Sequence, residues 1–272
     1  MKTLTVAALQ LPTLGMNATR LEFYLKNAHE RGVRILLMGE YVTNHFFKEM
    51  ERMPRRMVKE QTRQHMDMLR KFARQYRMTF IVPIIRFRKK RPYKAIARIA
   101  PDCIEYYYQQ ILIPYAHWNE RDFFANPLAP LAKPMIFKQD GFTIAVMGGF
   151  ELHFDPLWEA VRHHRVDLVL LPTASTFGSS QRWQKLIQSR AFVCGIYLLR
   201  ANRLGEYVDR DVAWRFYGDS LLVNPDGEVE MLLEDKESML IETLEKSAVK
   251  EHRKSWQFDR ILARHAMPAK SP

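Results

Sequence analysis

Several side chains in this sequence stand where apolar runs end, and their types suit proton transfer and hydrogen bonding. Glu40 ends the run Arg34 to Met38. Gln110 and Glu120 follow the tyrosine-rich run Ile104 to Tyr108. Gly148-Gly149-Phe150-Glu151 follows Phe142 to Met147, and Pro172-Thr173-Ala174-Ser175 follows Asp167 to Leu171. Chemistry in α/β proteins gathers at strand ends, and a buried carboxylate there serves as a general base. Taken singly, each of these residues suits a helix cap or a salt bridge equally well.

Other reactive residue types read more simply. Gly178-Ser179-Ser180 fits a loop and helix cap rather than a nucleophile. His163-His164 has no partners at metal-ligand spacing. The two cysteines, Cys103 in a turn and Cys194 after a helix, have no base beside them in sequence and read as inert thiols. They form no C-x-x-C pair and no disulfide framework. There is no G-x-G-x-x-G, P-loop, H-E-x-x-H or G-x-S-x-G, so neither a metal nor a cofactor is expected.

The elements that must position these residues follow from periodicity. Short apolar runs at 4–10, 34–38, 80–85, 142–147, 167–171, 196–200 and 239–243 predict strands. Runs 95–99 and 104–108 suggest a hairpin around Pro101-Asp102. Helical spacing appears at Leu21, Tyr24, Leu25 and Ala28, with Asn17 or Thr19 as cap and Gly32 at the end. It appears again at His65, Met68, Leu69, Phe72 and Tyr76, and at Leu157, Ala160, Val161 and His164 behind Asp155-Pro156. Trp183, Leu186 and Ile187 mark a further helix. Ser220 to Val223 and Val229 to Leu233 flank the turn Asn224-Pro225-Asp226-Gly227. The alternation implies an α/β layered fold. No linker divides the chain, so residues 1–272 read as one domain, with 249–272 a C-terminal helix and tail.

Composition sets the outer limits. Of the 272 residues, 47% are hydrophobic and 26% charged. Such a balance excludes whole-chain disorder, collagen and coiled coil. The net charge is +12, and it is concentrated. Residues 48–91 hold fifteen basic side chains against four acidic ones, a net +11 that leaves +1 for the rest. Most of these bases fall between the apolar positions of the second helix, on its outer face. No apolar run is long enough to span a membrane, and no charged-then-apolar leader opens the sequence. A cytoplasmic protein is the expectation.

Read in order, these segments resemble the nitrilase superfamily of carbon–nitrogen hydrolases over nearly the whole chain. The segments are Leu4 to Gln10, Ile35 to Glu40, Tyr108 to Leu112 with Asn119 to Phe124, Val146 to Phe154, Asp167 to Ser175, Gln181-Arg182-Trp183, Ala201 to Gly205, and Gly218 to Gly227. The resemblance implies a four-layer α-β-β-α sandwich and hydrolysis of non-peptide C–N bonds by a Glu-Lys-Cys triad. Carried over, Glu40 falls at the general base and Glu120 at an auxiliary glutamate. Gln110 falls at the lysine and Gly149 at the cysteine. Gly39 stands where a proline is usual. Tyr41, Phe150, Glu151, Thr173 and Ala174 would line a substrate pocket. A small-molecule amide or carboxylate ligand and a homodimer or larger homo-oligomer are implied.

The departures matter chemically. Glycine closes the thioester route, and single losses from a cooperating triad cost roughly 10⁴ to 10⁶ in rate. Gln110 brings no charge for an oxyanion, and Glu40 is left without its cationic partner, so its pKa should rise. Three readings stay open. The first is a pseudoenzyme retained for ligand binding or assembly. The second is a hydrolase working through water activated by Glu40 or Glu120. The third is a binder of anionic partners through the basic 48–91 face, for which a solvated face is the simpler account.

Overall fold

The structure, a computed structural model, describes residues 2–16, 18–209 and 212–265. In chain order its elements are β1 (Thr3–Gln10), α1 (Thr19–Glu30), β2 (Ile35–Met38), α2 (Phe47–Met50), α3 (Arg55–Tyr76), β3 (Thr79–Arg88), β4 (Arg91–Ile99) and β5 (Ile104–Tyr108). The short β6 (Pro114–Tyr115), β7 (Trp118–Asn119) and α4 (Glu120–Phe123) lead into the second half. There follow β8 (Met135–Gln139), β9 (Phe142–Val146), α5 (Asp155–His163), β10 (Leu168–Thr173), α6 (Ser180–Cys194), β11 (Tyr197–Asn202), β12 (Leu204–Asp209), β13 (Val212–Tyr217), β14 (Leu221–Val223), β15 (Val229–Leu232), β16 (Ser238–Glu245), α7 (Lys246–Trp256) and α8 (Phe258–Arg264).

Two six-stranded sheets carry the fold. One runs β16-β1-β2-β3-β4-β5 and the other β15-β14-β11-β10-β9-β8. Three apolar cores separate four layers. Leu25, Leu69, Phe72 and Ala73 of α1 and α3 cover Leu36, Phe80 and Val82 of the first sheet. Val6, Ile35, Ile81 and Ile96 meet Ile144, Val146, Leu168 and Leu199 between the sheets. Trp158, Val161, Ile187 and Ala191 of α5 and α6 cover Ala145, Val169 and Leu198 of the second sheet. The strands are parallel in their centres, β1–β2–β3 and β9–β10–β11. Their buried, near-continuous apolar runs follow from being covered on both faces. The expected α-β-β-α sandwich is the observed architecture.

Several local expectations are corrected. The C-terminal helix breaks at Gln257, which adopts φ 52°, and divides into α7 and α8. Residues 266–272 of the expected tail lie outside the described residues, as does Asn17. Ala18 precedes α1 and Thr19 is already its first helical residue, so Thr19 is not the cap. The hairpin β12–β13 went unpredicted, because Gly205 and alternating charges masked its period. Strands β3 and β4 extend to a tight turn at Arg88–Arg91, where Lys89 and Lys90 both take positive φ. Along α3 the basic side chains Arg55, Arg56, Lys59, Arg70, Lys71 and Arg74 are exposed, while Val58, His65, Leu69, Phe72 and Tyr76 are buried. Arg63 is held by Glu60 and Asp67.

Candidate functional site

The site residues converge where β2, β4, β9 and β10 end. Glu40 leaves β2 with its backbone N–H on the Thr173 carbonyl at 3.0 Å, which ties the two sheets together here. Its carboxylate is 5% exposed. One oxygen accepts the Gly149 N–H at 3.3 Å, and the other accepts from Lys94 Nζ at 2.8 Å. The same ammonium donates to Glu120 Oε1 at 2.6 Å, and Tyr41 donates its hydroxyl to that oxygen at 2.8 Å. Glu120 also accepts the Ile113 N–H at 3.3 Å.

Lys94 is the residue that sequence reasoning missed. It sits on β4, opposite Ile85 of β3, on the same strand face as the inward-pointing Ile96. Asn126 pins its backbone, accepting the Lys94 N–H and donating to the Lys94 carbonyl. The period-two pattern Lys94, Ile96 is the available signal, but the apolar run begins only at Ala95, whereas the strand begins at Arg91. The expectation that Glu40 lacks a cationic partner is therefore corrected. Burial pushes the Glu40 pKa up, with Lys94 opposing and Glu120 reinforcing the rise. Burial opposes the Lys94 ammonium too, but Glu120 and Glu40 outweigh it, and its pKa stands above the ordinary lysine value. Tyr41 is raised well above the tyrosine range by burial and the two carboxylates.

The structure thus brings together Glu40, Glu120, Tyr41, Gly149 and Thr173. Gln110 does not join them. Its amide turns to the 132 loop, donating to the Ala132 carbonyl and accepting the Ala132 N–H, and it also donates to Tyr107 Oη. The neighbouring Gln109 faces Gly148 instead, at 2.6 Å from where a Cβ would stand. Glu151 lies beneath the turn. It accepts N–H bonds from Gly148, Gln110 and Ile111 and the Tyr107 hydroxyl. Complete burial still lifts its pKa to about 7.

The space beside Gly149 is filled. A Cβ built there would lie 2.9 Å from Thr173 Cγ2 and 3.0 Å from the Pro172 carbonyl oxygen. Thr173 is not free to turn away. Its hydroxyl donates to Asn202 Oδ1 at 2.8 Å and accepts from the buried Arg200 Nε at 3.0 Å, and Arg200 pairs with Asp219. A void of only about 10 Å³ touches Glu40, Tyr41, Asn44 and Lys94, the room of roughly one water. The larger cavity lies outside, at about 460 Å³, against Phe150, Ala174, Ser175, Trp118 and Trp183. Of the expected lining, Phe150 and Ala174 reach it. Cys194 is buried in the last turn of α6 with its thiol pushed up to about 11, chiefly by burial. Among the described residues no cluster of His, Cys, Asp and Glu could hold a metal ion, and no helix is long and apolar enough to cross a membrane.

Comparison with known proteins bears on the family and the fold. The rice (Oryza sativa subsp. japonica) N-carbamoylputrescine amidase is 23% identical over 270 residues, covering 93% of this chain and 89% of the rice protein. The Arabidopsis thaliana enzyme of that name is 22% identical over 258 residues, 89% and 86% of the two chains. Among solved structures, a carbon-nitrogen hydrolase from Helicobacter pylori G27 superposes with TM-score 0.80 at 16% identity, covering 95% of this chain and 94% of that one. The carbon-nitrogen hydrolase family profile matches residues 5–254, and with more than nine-tenths of its length so matched, the chain belongs to that family.

Proposed function

We propose that this chain is a ligand-binding member of the family in which the thiolate reaction has been lost. The single observation that carries the reading is the contact at Gly149: the place of a nucleophile's Cβ is taken by the Thr173 methyl group. Absence of the thiol removes the attacking group, and the packing removes its room. What remains, Glu40–Lys94–Glu120, works as a buried ion triad. Each Glu40 oxygen already accepts one bond, and the void beside it has room for roughly one water and none for a substrate, which weighs against hydrolysis by direct water attack. The cavity beyond Phe150 and Ala174 keeps the position of a binding pocket without a reacting group at its floor.

The test is intact-mass measurement of the purified full chain, quenched during incubation with amides, esters and N-carbamoyl compounds. The reading expects an unmodified mass throughout. A covalent adduct that accumulates with substrate and then decays would overturn it.

A further inference from the structure

The outer cavity has a charge and shape of its own. Its rim and walls carry the rings of Tyr115, His117, Trp118, Phe150, Phe177 and Trp183. Four of them are linked: Tyr115 stacks on His117 at 5.9 Å, Phe150 meets Tyr115 edge-on at 5.8 Å, and Phe177 meets His117 edge-on at 6.0 Å. Flat slots between such faces suit a planar apolar body.

The polar side chains around it include Tyr115, His117, His153, Ser175, Thr176 and Ser179, and the formal charge among them is positive. Arg182 lines the cavity, and no carboxylate does among the described residues. Arg182 belongs to the first turn of α6, a fifteen-residue helix with no acidic residue in that turn and no side-chain cap. The capping residue Ser179, which also lines the cavity, spends its hydroxyl on the Thr176 carbonyl and Tyr217. The positive end of the helix dipole therefore faces this region. Two carboxylates bond to residues at the edge of this region: Asp219 takes the Ser180 hydroxyl and is paired with Arg200, and Glu120 takes the Ile113 N–H and is paired with Lys94. Two further groups on lining residues, the Trp118 indole N–H and the Ser175 hydroxyl, are buried without a hydrogen-bond partner. Trp118 and Ser175 are each 5% exposed. Both groups can donate, and both belong to residues of the cavity wall.

We propose that this cavity takes a flat, apolar-bodied carboxylate such as an aromatic acid, and discriminates against cationic amines. The proposal rests on the binding reading above and supplies its ligand class. An amine head would meet Arg182 and the helix N-terminus with no compensating acid, which is repulsive discrimination.

Three probes share one ring system and differ in the head group, anionic, neutral and cationic: 2-naphthylacetate, 2-naphthylacetamide and 2-(2-naphthyl)ethylamine. Binding to the full chain is measured by calorimetry at pH 7. The acid is expected to bind at least tenfold tighter than the amide, and the amine weakest. Arg182→Gln should weaken the acid about fivefold to tenfold and leave the amide within twofold. An amine that binds as well as the acid overturns the ligand class, as does failure of all three to bind, or an Arg182→Gln loss shared equally by acid and amide. Release of ammonia from the amide would instead overturn the absence of turnover, so the two failures are told apart.

Discussion

Lys94 Nζ lies 2.8 Å from Glu40 Oε2, both groups almost wholly removed from solvent, with Glu120 closing the other side at 2.6 Å. A lysine of β4 thus pairs with Glu40, the partnership that the family resemblance assigned to the position of Gln110. The centre holds one buried cation between two buried carboxylates. Two carboxylates this close would not both ionise at neutral pH without a cation between them.

Lys94→Met should consequently be costly. Breaking a buried pair by removing one partner leaves uncompensated charge, about 3–5 kcal/mol. Denaturant unfolding at pH 7 should show a loss of that order, and adding Glu40→Gln to the Lys94→Met chain should recover part of it. A Lys94→Met loss below about 1 kcal/mol would contradict a buried ion triad.

Glu151 gives the fold a pH dependence. Its pKa in the folded chain, about 7 against an ordinary 4.5, means the native state holds a proton that the unfolded state has released. Its contribution is complete below about pH 4.5 and is lost as pH rises through about 7. At ~1.4 kcal/mol per pKa unit, the scale is about 3 kcal/mol. The stability difference between wild type and Glu151→Gln should move in favour of Gln by up to that amount from pH 4.5 to 7.5. A difference that is flat with pH would mean that the four hydrogen bonds to the carboxylate offset its burial.

The closure at Gly149 is separable from the rest of the packing. Gly149→Ala should cost about 1–3 kcal/mol, the range for overfilling a close-packed site. Thr173→Ser removes only the methyl that blocks the space and keeps the hydroxyl that Arg200 and Asn202 hold. In the Gly149→Ala chain, Thr173→Ser should return much of the loss, a coupling visible in a double-mutant cycle. Strictly additive effects would show that the contact is not what limits the space.

The layered fold was legible because the central strands β1, β2, β3, β9, β10 and β11 are short, largely apolar runs, and because α1, α3 and α5 keep helical spacing on their covered faces. The carboxylates of the site were legible too, since Glu40 and Glu120 sit at fixed places relative to those runs. Lys94 was not. A charged residue at the start of a strand, next to the basic turn Arg88–Arg91, reads as part of an exposed face, and only the partner carboxylates from β2 and α4 reveal that it is buried. Nor could the side chain of Gln110 be placed, because whether it or Gln109 turns inward depends on how the chain leaves β5. The Thr173 contact with Gly149 joins two strand ends that are distant in sequence, and no local pattern encodes it.

On this reading the cavity at Phe150 and Ala174 binds a ligand, while the Glu40–Lys94–Glu120 centre turns nothing over. The most direct measurement is ammonia release from N-carbamoylputrescine by the purified full chain, with Glu40→Gln alongside. The account predicts no release above buffer from either protein. Steady turnover by wild type that disappears in Glu40→Gln would contradict it.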